Sequence, residues 1–125
     1  MNIYTSYFTR AQLLDEDGKI YVAISNSVPA WFTPKHIRMK ELSPEWSDVD
    51  AYKYTRITFK TFEENYKKTL LKRFGSFEAV RQHLMDKIGL TGNQNVVLMC
   101  WEKDSKHCHR SILADIFAID YKGEL

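Results

Sequence analysis

The stretch "VVLMCWEKDSKHCHRSILADIF", Val96 to Phe117, decides the expected fold. The stretch begins with an uninterrupted apolar segment, Val96 to Cys100. With the preceding Asn95, this segment is typical of a strand buried on both faces. A polar loop follows, and the apolar periodicity of residues 111–119 then predicts a helix. A buried strand that leads through a short loop into a helix is the building unit of α/β proteins.

The rest of the chain supplies further elements of the same kind. Residues 2–8 and 19–25 read as strands, and residues 52–59 as a third, less regular one. Residues 62–73 have a helical apolar stripe, and a second helix is expected between an N-cap at Ser76 and a stop at Gly89. Residues 30–49, interrupted by Pro34 and Pro44, are predicted to be a long loop with short helical turns. The sequence therefore predicts an α/β fold, a three-layer Rossmann-like domain with a mostly parallel sheet, and one domain over residues 1–125.

Composition excludes several classes of protein. The 125 residues are 44% hydrophobic and 27% charged, as in an ordinary folded domain, and the net charge of +2 does not by itself indicate nucleic acid. The opening residues, MNIYTSYF, lack the pattern of a signal peptide, and nowhere is there a run of about 18–20 apolar residues. A cytoplasmic protein with reduced thiols and no membrane partner is expected. The oligomeric state is not predicted.

Reactive residue types concentrate in the loop after the strand that ends at Cys100. Both cysteines of the chain, Cys100 and Cys108, lie there, beside two of its four histidines, His107 and His109. Arg110 and Ser111 follow at the expected start of a helix, where unpaired N–H groups and the helix dipole favour anions. Glu102, two residues beyond the strand, is a candidate base or orienting group.

Two other strands are expected to end near this loop, because ligands of parallel α/β sheets bind at the carboxyl ends of the strands. Tyr7 lies near the end of the first strand, and Ser25 and Asn26 lie at the end of the second. Trp31 lies in the long loop and is a candidate stacking platform for a base. Together with Cys100, Arg110 and Ser111, these residues form the predicted ligand-binding set.

Four interpretations of the Cys-His-Arg cluster remain open at this point. Cys108 is a nucleophile with Glu102 and His109 as acid and base, although Arg110 follows the cysteine too closely for a phosphatase-type anion loop. Alternatively, zinc or iron is held by Cys100, Cys108 and a histidine such as His109, a spacing unlike the usual structural zinc patterns. The third interpretation is a non-covalent pocket in which Arg110 clamps a phosphate or carboxylate. The fourth is a packed loop in which Arg110 pairs with Glu102.

The cluster closely resembles the signature of the family catalogued as domain of unknown function 488. Cys100 and Glu102 match its Leu-Cys-x-Glu half, and Cys108, His109 and Arg110 match its Cys-His-Arg half. Three further segments resemble family motifs in the right order: "YTSYF" (residues 4–8), "VAISNSVPAWF" (residues 22–32) and "LSP" (residues 42–44). The resemblance implies an α/β fold with a shared site, and roles connected with nucleotides or nucleic acids.

One departure bears on the ligand. Many members have an arginine shortly after the second strand, where this chain has Asn26. The resemblance thus implies weaker anion binding here, or another ligand. The leading hypothesis is a pocket, built on Glu102 and Cys108-His109-Arg110, for a phosphate-bearing small molecule or a piece of nucleic acid. No cofactor belongs to this hypothesis. An enzyme that needs Glu102 or Cys108 is the alternative, followed by a non-catalytic module that sequesters a ligand or binds a metal.

Overall fold

The computed structural model of the chain describes residues 1–89, 94–103 and 107–125. Five strands form one sheet in the order β3-β2-β4-β1-β5. The strands are β1 (Asn2–Tyr7), β2 (Lys19–Ala23), β3 (His36–Arg38), β4 (Asn95–Cys100) and β5 (Tyr121–Glu124). The helices are α1 (Phe8–Leu14), α2 (Trp46–Lys53), α3 (Phe59–Phe74), α4 (Phe77–Ile88) and α5 (His109–Ile116), and Lys40–Leu42 form a 3₁₀ turn.

The central strand β4 is buried on both faces, as its apolar run predicts. Val96, Leu98 and Cys100 belong to a core that also contains buried side chains of α3, α4 and α5. Val97 and Met99 point to the other face, where they pack against α1. Alternation along one strand therefore separates two helical layers with the sheet between them. The predicted three-layer α/β Rossmann-like fold is confirmed, and all strand pairings in the described ranges are parallel.

Gly75 and Ser76 determine where α3 ends and α4 begins. Gly75 ends α3 with a φ of 90°, a value that a residue without a side chain adopts at little cost. Ser76 then caps α4, since its side-chain oxygen accepts a hydrogen bond from the amide of Ala79 at 3.1 Å. Gly89 is the C-cap of α4. These predicted stops and starts are confirmed.

Residues 52–59 were wrongly predicted to be a strand. They contain the end of α2 and the turn that leads into α3. Their aromatic side chains, which suggested β structure, instead pack between the two helices, with the Tyr52 ring 5.6 Å from that of Phe59 and 5.4 Å from that of Phe62. Tertiary packing of aromatic rings thus outweighs local β propensity here.

The predicted long loop at residues 30–49 is also more ordered than expected. It contains β3, the 3₁₀ turn and the first turn of α2. The two edge strands, β3 and β5, have three and four residues and carry no apolar run. Backbone hydrogen bonds to β2 and β1 hold these two strands in the sheet. Such bonds need no hydrophobic side chains, so the sequence carries no pattern from which β3 and β5 could be predicted.

The order of the strands creates a crevice between the carboxyl ends of β2 and β4. These strands are neighbours, but the chain leaves β2 towards β3 on one side and leaves β4 through α5 towards β5 on the other. Such a topological switch point is where doubly wound sheets bind ligands. None of the helices in the described ranges has both the length and the hydrophobicity that crossing a bilayer requires.

Candidate functional site

A cavity of about 700 Å³ lies at this switch point. Its sides are formed by residues 25–27 after β2, residues 100–102 at the end of β4, and residues 107–109 at the start of α5. Helix α2 contributes Trp46, Tyr52 and Lys53, and α3 contributes Phe62. The volume suits a ligand of the size of a nucleotide or a drug-like molecule.

Three potential metal ligands form the floor of the cavity. Cys100, Cys108 and His109 are all buried, and one donor atom from each lies within 4.8 Å of the others. Cys100 and Cys108 are joined as a disulfide, whereas the sequence predicted two reduced thiols. The expectation of reduced thiols rested on the expected compartment, and the pairing is possible because the residue before α5 lies beside the last residue of β4.

His109 is held in one tautomer by a backbone carbonyl. Its Nε2 lies 2.6 Å from the carbonyl oxygen of Ile24, and because a carbonyl only accepts, Nε2 carries the hydrogen. The other ring nitrogen, Nδ1, lies 3.7 Å from the sulfur of Cys108. Burial lowers the pKa of His109 to about 4, with a further decrease from the charge of Arg110, so the ring is neutral at pH 7.

Arg110 does not take the predicted role of an anion clamp, because its guanidinium is buried and already has partners. It donates to the carboxylate of Glu124 at 3.0 Å, to the sulfur of Cys100 at 3.1 Å and to the carbonyl of Lys103 at 3.0 Å. A further bond goes to the carbonyl of Glu102. The side chain is 1% exposed and is absent from the cavity lining. Arg110 therefore positions the loop after β4.

The remaining predicted residues divide between the cavity and its surroundings. Glu102, Ser25 and Asn26 line the cavity, as expected. Asn26 is also a brace, since its amide donates to the carbonyl of Pro44 at 3.3 Å and its carbonyl accepts from Ser43 Oγ at 3.0 Å.

Besides Arg110, three of the predicted ligand-binding residues lie outside the lining. Ser111 donates its hydroxyl to the carbonyl of Cys108 at 2.7 Å, within the first turn of α5. The ring of Tyr7 lies under the guanidinium of Arg110 at 5.8 Å. Trp31 is exposed and packs edge-on against Phe32.

Several cavity residues were missed. Trp46, Val49 and Lys53 lie on one side of α2, and their spacing of three and four residues was a usable signal that the strand assignment at 52–59 obscured. Trp101, directly after β4, also lines the cavity. Its indole nitrogen donates to the carbonyl of Ser27 at 2.9 Å, which ties together the two strand exits that flank the crevice.

The sequence matches the profile of the family DUF488-N3a, described as the active DUF488-N3 subclade, over residues 10–120. The chain belongs to the DUF488 family. The matched range includes all three segments around the crevice of this DUF488 protein, residues 25–27, 100–102 and 107–109, and the resemblance seen in the sequence is confirmed. No curated protein and no solved structure gives a significant match.

Replacement of Arg110 tests its positioning role. We expect Arg110→Ala to lower the free energy of unfolding by about 3 kcal/mol, because removal of the buried guanidinium leaves a cavity and deprives the carbonyls of Glu102 and Lys103 of their donor. Chemical denaturation in urea measures the loss.

The matched control is Arg56→Ala. Arg56 is 69% exposed and lies 3.8 Å from Asp50, so its loss should cost less than about 1 kcal/mol. Equal, small effects of the two substitutions would contradict the positioning role.

The lowered pKa of His109 predicts a dependence of stability on pH. Between pH 6.5 and about 4, the unfolded chain binds a proton at this residue and the folded protein does not. The contribution of neutral His109 to the free energy of unfolding is therefore fully present above pH 6.5. It is lost as the pH falls towards 4, by up to about 3 kcal/mol. Urea unfolding of chelator-treated protein over this pH range measures it.

His109→Gln should remove this part of the pH dependence and leave the rest. The control is His83→Gln, since His83 is partly exposed and pairs with Glu41. A wild-type profile that His109→Gln does not alter would show that the buried imidazole is not the group responsible.

Proposed function

We propose that this DUF488 protein binds a phosphate-bearing ligand with a planar ring, a nucleotide or a short piece of nucleic acid, in the cavity between β2 and β4. The observation that carries the proposal is the aromatic lining of a nucleotide-sized cavity at a topological switch point. Ligands of parallel α/β sheets bind at such points.

The walls of the cavity favour a flat, partly apolar ring. Trp46, Tyr52 and Phe62 lie on one side, contributed by α2 and α3, and Trp101 extends from the end of β4. Stacking of a nucleobase on an aromatic side chain is worth about 1–3 kcal/mol and accepts any base. Aromatic walls of this kind supply affinity, and polar groups at the edge supply selectivity.

Polar and charged groups are placed to bind the rest of such a ligand. Among the described residues that line the cavity, Lys53 is the lysine, and it is exposed, so its ammonium is accessible to a phosphate. Arg110 has its donors occupied, so we assign the phosphate contact to Lys53 in its place. Glu102 accepts hydrogen bonds, and amino groups at the edge of a base are suitable donors.

The second candidate is an enzyme acting on this ligand, and the floor of the cavity favours it. In the reduced protein, the lone pair of His109 Nδ1 faces the sulfur of Cys108 and can accept a hydrogen bond from its thiol. The sulfur of Cys108 would attack the phosphorus of the ligand as its proton passes to His109. The bond from phosphorus to the leaving-group oxygen would break as Glu102 gives that oxygen a proton, and water would then release the phosphoryl group from the sulfur. A cytoplasmic location, which the sequence predicts, would keep both thiols reduced. The word "active" in the description of the subclade agrees with this candidate.

Equilibrium binding tests the pocket. We expect the protein to bind members of a panel of mononucleotides and single-stranded oligonucleotides, followed by tryptophan fluorescence and calorimetry. Trp46→Ala should weaken binding by about 1–3 kcal/mol, or roughly 5- to 150-fold in Kd. Lys53→Ala should weaken the binding of a nucleotide but not that of the corresponding nucleoside.

Trp31→Ala and Lys60→Ala are the matched controls, because both residues are exposed and neither lines the cavity. They should bind as the wild type does. The pocket hypothesis fails if no member of the panel binds, or if Trp31→Ala and Trp46→Ala lose affinity equally.

Product analysis separates an enzyme from a binding module. We expect reduced wild-type protein to convert a bound ligand, detected by liquid chromatography and mass spectrometry. Cys108→Ser and Glu102→Gln should each lower turnover by at least about 100-fold without a matching loss of affinity. Glu64→Gln, in an exposed position of α3 outside the lining, is the control. Ligand that binds but is recovered unaltered throughout would reject the enzyme.

A further inference from the structure

We propose that Cys100, Cys108 and His109 of the reduced protein bind one divalent transition-metal ion of the zinc class at the floor of the cavity. The proposal goes beyond ligand binding and does not depend on it. Two thiolates and an imidazole are donors that zinc prefers, and three protein ligands with a fourth position left open are typical of catalytic zinc sites.

The distances between the donor atoms fit one ion. All three donors lie within 4.8 Å of one another, and His109 Nδ1 is 3.7 Å from Cys108 Sγ. Zinc bonds of about 2.3 Å to sulfur and about 2.0 Å to nitrogen, in tetrahedral geometry, place neighbouring donors roughly 3.5–3.8 Å apart. The histidine and Cys108 already have this spacing.

Backbone spacing allows the two sulfurs to separate. The Cα atoms of Cys100 and Cys108 are 7.6 Å apart. Disulfide-bonded cysteines usually have Cα atoms about 4.4–6.8 Å apart, so this wider separation leaves space for an ion between two thiolates. The ion requires the reduced pair, which a phosphine reductant produces by delivering two electrons to the disulfide.

The tautomer of His109 is the one that a metal ligand needs. Its Nε2–H donates to the carbonyl of Ile24, which leaves the lone pair on Nδ1, the nitrogen that faces Cys108. Metal-binding histidines almost always donate their other ring hydrogen to a carbonyl or carboxylate in this way. The contact with Ile24 also fixes the plane of the ring before any ion binds.

Two buried thiolates would need a cation to balance their charge. Two thiolates at Cys100 and Cys108 would carry two negative charges into a site where Arg110 is already paired with Glu124. A divalent ion neutralises both thiolates, and burial strongly disfavours charges without partners. The bond from Arg110 to Cys100 then supports a metal-bound sulfur from outside the coordination sphere.

The open position of the ion would face the cavity, since all three ligands belong to its lining. A water molecule there is activated as a nucleophile in zinc enzymes. Cys108 would then be a ligand and not itself the attacking group. Glu102, on the same wall, is the side chain that could exchange a proton with that water.

Metal content tests the proposal directly. We expect protein that is purified without chelator, reduced with a phosphine and kept free of oxygen to hold one equivalent of zinc by elemental analysis. Replacement by Co(II) should give thiolate-to-cobalt charge-transfer bands and the visible bands of a tetrahedral site. Cys100→Ser, Cys108→Ser and His109→Gln should each lose the stoichiometric metal and these bands, and His36→Gln should retain both.

The outcomes distinguish this proposal from the preceding ones. Reduced wild-type protein that takes up neither ion, or cysteine variants that bind Co(II) as the wild type does, would overturn it. Should His109→Gln fail to fold, the two serine variants decide, because serine is nearly isosteric with cysteine. Nucleotide binding is measured separately, so its failure leaves the metal result unaffected.

Discussion

The buried guanidinium of Arg110 is the interaction on which the arrangement of the site depends. It connects the end of β4, the two carbonyls that follow it, and Glu124 in the edge strand β5. A planar fork with five donors can serve so many acceptors at once, and a lysine cannot. The arginine thereby fixes where Cys100 lies relative to the first turn of α5. Without it, the crevice between β2 and β4 would have no defined floor.

This arrangement separates a dry floor from a polar rim. Cys100, Cys108 and His109 are buried, and electrostatic interactions among them are weakly screened. Lys53 and Glu102 lie on the exposed rim, where water competes for their charges. The buried floor suits reactions that need a fixed protonation state or a bound ion. The exposed rim suits the binding of a charged ligand. One cavity thus offers both environments within reach of a single ligand.

The sequence was informative wherever one residue determines the local structure. The apolar run of β4 implies burial on both faces, Ser76 caps α4, and Gly75 adopts a positive φ, so these features follow from the residues alone. The cluster of Cys100, Cys108 and His109 was also found, because its residue types are rare and adjacent. The direction of the Arg110 side chain could not be found, since it depends on Glu124, fourteen residues away and brought near only by the pairing of β5 with β1. The wall formed by α2 was missed because aromatic residues suit strands and helix interfaces equally.

Asn26 lies where the resemblance leads us to expect an arginine after the second strand, and its side chain has a structural role there. Its side-chain oxygen accepts a hydrogen bond from Ser43, and its amide donates to Pro44, so it fixes the segment that leads into α2. An arginine has no acceptor and could not bind Ser43 in this way. An asparagine at this position therefore stabilises the neighbouring segment, whereas an arginine would supply a positive charge. Asn26 therefore binds the segment directly before α2, the helix that contributes Lys53 to the cavity lining.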